Sequence, residues 1–264
     1  MRLLNKSRLT ANMDRLKKAF ESGKVLKSCW LGMRDPQYIA SMASFDFDVA
    51  LLDVQHGYLD ESSILAGISA IVHAGKPPIV RIPVGRWDMA ERAMDFGALS
   101  VVAPMINNRA DAERFAASVK YPPNGSRSHG PSQAIALYKA DPVEYMSTIN
   151  DNSFAIAMIE TREAYENLDD IISVEGIDGI LIGPGDFSIS LAGNPVPDAY
   201  GAGSIEQITD VAKRVLAIGK IPTAFSLTPE HANLAHSLGF KLITIGYDGT
   251  YLAKGAEYHL DLDF

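Results

Sequence analysis

Between residues 155 and 188 the chain reads AIAMIETREAYENLDDIISVEGIDGILIGPGDFS, and this stretch restricts the fold more than any other. Two short apolar runs, 155–159 and 179–182, flank a segment, 161–173, in which Ala164, Leu168, Ile171 and Ile172 recur at three- and four-residue steps with acidic residues on the other face. The unit reads as strand, helix, strand, so the two strands are parallel and end on the same side of a sheet. Each run delivers a carboxylate to that edge: Glu160 directly after the first, Asp186 just past the second. Gly183-Pro184-Gly185 predicts a tight turn that brings backbone N–H groups beside Asp186. A lone carboxylate after a strand commonly caps a helix. Two at matching strand ends suit a hard divalent cation such as Mg²⁺ or Mn²⁺ with positions left open for substrate and water.

The same alternation runs from about residue 25 to residue 246. Strands are predicted at 25–32, 49–53, 78–82, 100–104, 155–159, 179–182, 220–225 and 242–246. Helices are expected at 36–44, 62–73, 88–96, 109–120, 142–149, 161–173, 204–218, 228–238 and 251–256, with an amphipathic first helix carrying Leu9, Met13, Leu16 and Phe20. Eight strands alternating with helices predict an α/β fold of the (β/α)₈ TIM-barrel type, residues 1–264 forming one domain. No Pro/Gly/Ser-rich linker or low-complexity tract divides the chain.

In a barrel of this kind the site lies at the C-terminal ends of the strands. Asp53 ends the second strand and His56 follows after two intervening residues, close enough for the carboxylate to orient the imidazole through a turn; a structural loop histidine fits the same spacing. Arg81 sits among Val80, Ile82 and Pro83 and needs a partner, either a substrate carboxylate or enolate, or an ion pair to Asp53 or Glu160. The proline-rich loop 121–131 offers Arg127 and His129 as weaker candidates for substrate contact. A formal net charge of −8 argues against non-specific nucleic-acid binding. One cysteine, Cys29, excludes an intrachain disulfide and a cysteine zinc site, in keeping with a reducing cytoplasm. No apolar run approaches the length of a membrane span or of a secretory signal core.

These residues also carry a resemblance. Asp53-x-x-His56, Arg81-x-Pro83, Tyr121-Pro122-Pro123-x-Gly125-x-Arg127, Ile159-Glu160-Thr161-Arg162-Glu163-Ala164, Val174-Glu175-Gly176-Ile177-Asp178-Gly179 and Ile182-Gly183-Pro184-Gly185-Asp186-Phe187-Ser188 closely resemble the HpcH/HpaI aldolase family, over about residues 25–250. The resemblance implies a class II pyruvate aldolase dependent on Mg²⁺, Mn²⁺ or Co²⁺. It further implies a homo-hexamer, a dimer of trimers, with the C-terminal helix exchanged between subunits. Glu160 and Asp186 would be the metal ligands, the backbone at Gly185 and Asp186 would hold the pyruvate carboxylate, and Arg81 would stabilise the enolate. His56, oriented by Asp53, would serve as the base at the C4 hydroxyl, and Asp95 would reach a neighbouring subunit's site. Three departures from the family pattern stand out. Gln55 stands where Glu is common, Met158 replaces a Gln, and Ser128-His129 follow Arg127 where a Gly is common. Gln55 and Met158 are expected at the substrate, Met158 making its wall apolar and suited to a hydrophobic or aromatic aldehyde. Two other readings fit the same motifs: oxaloacetate decarboxylation or another citrate-lyase-like cleavage, and a small-acid binder without turnover.

Overall fold

The computed structural model describes residues 13–261, so Leu9 of the expected first helix lies outside the described residues. Eight parallel strands close into a barrel: β1 (Leu26–Leu31), β2 (Val49–Asp53), β3 (Pro78–Arg81), β4 (Ser100–Ala103), β5 (Phe154–Ile159), β6 (Gly179–Ile182), β7 (Ile221–Ser226) and β8 (Leu242–Ile245). Each strand pairs with the next in sequence, and β1 closes the ring against β8 with Leu26 opposite Leu242 and Ser28 opposite Thr244. Because helices cover the outside and side chains fill the inside, a barrel strand is buried on both faces and reads as a continuous apolar run. VALLD of β2 and FAIAMI of β5 are buried at every position, as the expected fold requires.

The helices follow the strands through side-chain caps. Asp35 accepts from the N–H groups of Gln37 and Tyr38, Asp60 forms a capping box with Ser63, and Thr161 accepts from the Ala164 N–H. Helix Glu61–His73 buries Ile64, Ile68 and Ile71 completely, each contributing about 2 kcal/mol through its removal from water. Gly67 lies on the same face, where an added Cβ would stand 2.9 Å from Leu52 Cδ1; the absent side chain lets helix and β2 pack closely.

Four local expectations are corrected. The segment 161–173 is two helices, Arg162–Glu166 and Leu168–Ile172, broken at Asn167, whose side chain leaves to donate to the Asn107 carbonyl at 2.9 Å. Gly183-Pro184-Gly185 is not an isolated turn. Pro184 opens helix Pro184–Ala192, its fixed φ and missing N–H suiting the first helical position. The loop after residue 120 is followed by helix Ser132–Tyr138, too short to show a period; buried Tyr138 anchors it by donating to the Gly97 carbonyl at 2.7 Å. The last helix runs over Asp248–Leu260, longer than expected at both ends.

Candidate active site

A cavity of about 450 Å³ opens at the C-terminal ends of the strands. Its wall contains Asp53, His56, Arg81, Met158, Glu160, Gly185 and Asp186, so seven residues singled out in the sequence meet in one place. Gln55 is not part of that wall; it is half-buried beside it, with Oε1 buried and unpaired.

Asp53 organises one side. Its Oδ1 accepts from Arg81 Nε at 2.9 Å and its Oδ2 from Arg81 Nη2 at 2.7 Å, a two-pronged pair with both side chains nearly inaccessible. Trp30 Nε1 donates to Oδ2 at 3.0 Å, and the backbone N–H groups of Gln55 and His56 donate to Oδ1 at 3.1 and 3.3 Å. Burial pushes the Asp53 carboxyl up, but the Arg81 and Trp30 hydrogen bonds and the Arg81 charge outweigh it and hold the group below the usual carboxylate range. Of the two partners open to Arg81 within the protein, Asp53 is the one it takes. The expected contact of Asp53 with the imidazole is corrected: Asp53 reaches His56 through the backbone, because both carboxylate oxygens are committed elsewhere, and the exposed ring stands at the cavity rim.

Glu160 organises the other side. It is buried, and its Oε2 accepts from the Met105 N–H at 2.8 Å. Met105 sits at φ 55°, a left-handed conformation a side chain rarely adopts, and that backbone turn aims its N–H at the carboxylate. Gly183 packs against the same group: an added Cβ would lie 2.8 Å from Glu160 Oε1 and 2.9 Å from Cγ. Burial raises the Glu160 carboxyl to about 7, opposed by the Met105 hydrogen bond and reinforced by the negative charge of Asp186. Asp186 is exposed in the first turn of helix Pro184–Ala192, and a Cβ at Gly185 would meet nothing within 4 Å, so a ligand can approach that backbone. The N–H groups of Gly185 and Asp186 have no acceptor inside their own helix, which suits a carboxylate.

These two carboxylates fit a hard divalent cation. A buried carboxylate driven toward neutrality, with the negative charge of a second, exposed carboxylate beside it, is the environment a cation relieves. Among the described residues no third His, Cys, Asp or Glu joins them in a metal-sized cluster, leaving the other coordination positions to substrate and water.

The remaining sequence candidates lie elsewhere. Asp95, on helix Trp87–Phe96, pairs with Arg127 at 3.3 Å, and burial raises its carboxyl despite that partner. Arg127, expected on a substrate-contacting loop, is buried instead: it donates to the Tyr121 hydroxyl at 2.7 Å and its guanidinium lies 4.0 Å from the centre of that ring. His129 is exposed beside Tyr121, outside the cavity. Conversely, the cavity includes residues the sequence reading passed over. Trp30 is one, and its buried indole N–H, which needs an acceptor, was the available signal. Asp248 is another. It opens helix Asp248–Leu260 just after β8, the placement that marked Asp186 after β6, and accepts from the N–H groups of Gly32 and Met33 and from the Tyr38 hydroxyl at 2.8 Å.

Residues 27–254 match the family model described as HpcH/HpaI aldolase/citrate lyase. A hydroxypyruvate/pyruvate aldolase of Rhizorhabdus wittichii is 32% identical over 245 residues, covering 93% of this chain and 96% of that protein. A 4-hydroxy-2-oxo-heptane-1,7-dioate aldolase of Salmonella typhimurium is also 32% identical, covering 91% of each chain. Among solved structures, an HpcH/HpaI aldolase from Desulfitobacterium hafniense superposes with a TM-score of 0.84 at 25% identity, covering 94% of this chain and 97% of that one. With more than four-fifths of its length matched and the barrel shared, the chain belongs to the HpcH/HpaI aldolase/citrate lyase family.

Proposed function

We propose that the protein catalyses reversible, divalent-metal-dependent aldol cleavage of a 4-hydroxy-2-oxo acid to pyruvate, or a substituted pyruvate, and an aldehyde. The observation that carries this reading is the pairing of buried Glu160 with Asp186 across the cavity wall from a fixed Arg81. Glu160 and Asp186 would hold the cation, which supplies Lewis-acid stabilisation of an enolate when bound. Arg81 adds a second positive charge, preorganised by two hydrogen bonds to Asp53 so that it costs no reorientation when negative charge develops on the 2-oxo oxygen. The free N–H groups of Gly185 and Asp186 receive the substrate carboxylate. His56, at the rim, accepts the C4 hydroxyl proton as the C3–C4 bond breaks and returns it in the synthetic direction.

The activities named for the relatives at 32% identity support the reaction class and a pyruvate-type donor. Leu252, Tyr258 and Leu260, exposed on the last helix, support its exchange between subunits of a hexamer, checked by light scattering. The deciding experiment is pyruvate release from a racemic 4-hydroxy-2-oxo acid after chelation and after separate return of Mg²⁺, Mn²⁺ or Co²⁺. Recovery with metal is expected, and His56→Ala should lower cleavage by about 10²–10⁴-fold. Full cleavage in the chelated protein would refute the metal requirement, and unchanged cleavage in the variant would remove His56 from the mechanism.

A further inference from the structure

Beside the catalytic groups, the cavity wall is apolar and, in part, aromatic. Trp30, Met33, Tyr58, Met158, Phe225 and Tyr247 all belong to it. Several are held in place. The Trp30 ring lies under the Arg81 guanidinium at 4.6 Å and meets the Phe225 ring edge-on at 5.0 Å, although β1 and β7 are separated in the barrel by β8, so this contact passes over the intervening strand. Tyr247 caps the last helix with its ring against Gly249, where an added Cβ would stand 2.7 Å from Tyr247 Cε2.

Charge selects in the same direction. Among the described residues that line the cavity, Arg81 is the sole Lys or Arg, and Asp53 already occupies two of its donors. Asp248 adds a buried negative charge that is satisfied by hydrogen bonds and by no cation. A second carboxylate on the aldehyde half would therefore lose its hydration beside Asp248, with no Lys and no Arg other than the Asp53-paired Arg81 among this chain's described lining residues to receive it.

We infer that the subsite bounded by Trp30, Phe225, Met158 and Tyr247 takes an uncharged apolar or aromatic aldehyde and rejects an anionic one. This rests on the aldolase reading above and adds its second substrate class. An aromatic ring would replace water against Trp30 and Phe225, whose geometry favours offset or edge-on contact. The carbonyl end would point toward His56 and Arg81, where the new C3–C4 bond forms from the pyruvate enolate and the aldehyde oxygen takes the proton from His56. The proton gained by the aldehyde oxygen is matched by the one the pyruvate methyl group loses on forming the enolate, so no further reactant is needed.

The test uses the Mg²⁺-loaded full chain and first measures deuterium exchange at the pyruvate methyl group in D₂O, which reports enolate formation without an aldehyde. Initial rates of condensation then compare benzaldehyde with succinic semialdehyde, in the native chain and in Tyr247→Arg, whose half-exposed position tolerates the change. Expected are pyruvate exchange, a kcat/KM for benzaldehyde at least about tenfold above that for succinic semialdehyde, and a shift of at least about fivefold toward the anionic aldehyde in the variant. A binding readout accompanies these. In a Trp87→Phe background, benzyl alcohol should perturb Trp30 fluorescence at concentrations where 4-hydroxybutyrate does not. Exchange with equal or better use of succinic semialdehyde overturns the inference and leaves the aldolase reading standing. Absence of exchange overturns both.

Discussion

Replacing Glu160 by Gln separates the cost of its charge from its place in the fold. The carboxyl is raised from 4.5 to about 7 with 2% of the residue exposed, so solvent screening removes little of the effect. For an acid whose pKa is raised on folding, the native state binds the extra proton. Stability is therefore greatest below the unfolded value and falls as pH rises through the window from about 4.5 to 7. A shift of that size corresponds to about 3 kcal/mol in full, of which about 2.5 kcal/mol develops between pH 5 and pH 8. Gln keeps the oxygen that accepts from the Met105 N–H but cannot ionise. In the chelated protein, guanidinium denaturation at fixed protein concentration should show the variant gaining about 2.5 kcal/mol on the parent between pH 5 and pH 8. Added Mg²⁺ should stabilise the parent at pH 8 and leave the variant nearly unchanged. A pH-independent difference between the two chains would refute a buried, cost-bearing carboxylate at this position.

Three further outcomes follow from the geometry. Gly183→Ala places a Cβ 2.8 Å from Glu160 Oε1 and should weaken Mg²⁺ binding in calorimetry at least about tenfold while the circular dichroism spectrum is retained; undiminished affinity would show that Glu160 is not the ligand. Asp53→Ala strands the buried Arg81 guanidinium together with the Trp30 N–H and should cost about 3–5 kcal/mol in urea denaturation; a loss under about 1 kcal/mol would mean the pair is solvated. Lys120, whose buried Nζ meets Asp178 at 2.9 Å and the Asn150 carbonyl at 2.9 Å, lies at the opposite end of the barrel. Lys120→Met should lower the denaturation midpoint with KM for the 2-oxo acid unchanged, and a changed KM would contradict a purely structural role.

The strands were legible because burial on both faces of a barrel leaves uninterrupted apolar runs, and the polar residues that follow them stand at one end by chain direction alone. That logic places Asp53, Arg81, Glu160 and Asp186 at one end from the sequence alone. It missed Asp248, although that residue follows β8 just as Asp186 follows β6, because its importance lies in the Gly32 and Met33 N–H groups more than 200 positions away. It also misplaced Arg127, since a proline-rich loop looks solvated until Tyr121 folds over the guanidinium.

The local pattern of the sequence thus determined the order of strands and helices and the edge at which the carboxylates gather, since both follow from periodicity and the handedness of parallel crossovers. Tertiary structure alone decided that Arg81 pairs with Asp53, that Glu160 is driven toward neutrality, and that Trp30 and Phe225 meet over the intervening β8 to form an aromatic wall. Pairing, desolvation and ring contact depend on which distant side chains share a space, and closure of the barrel creates that space.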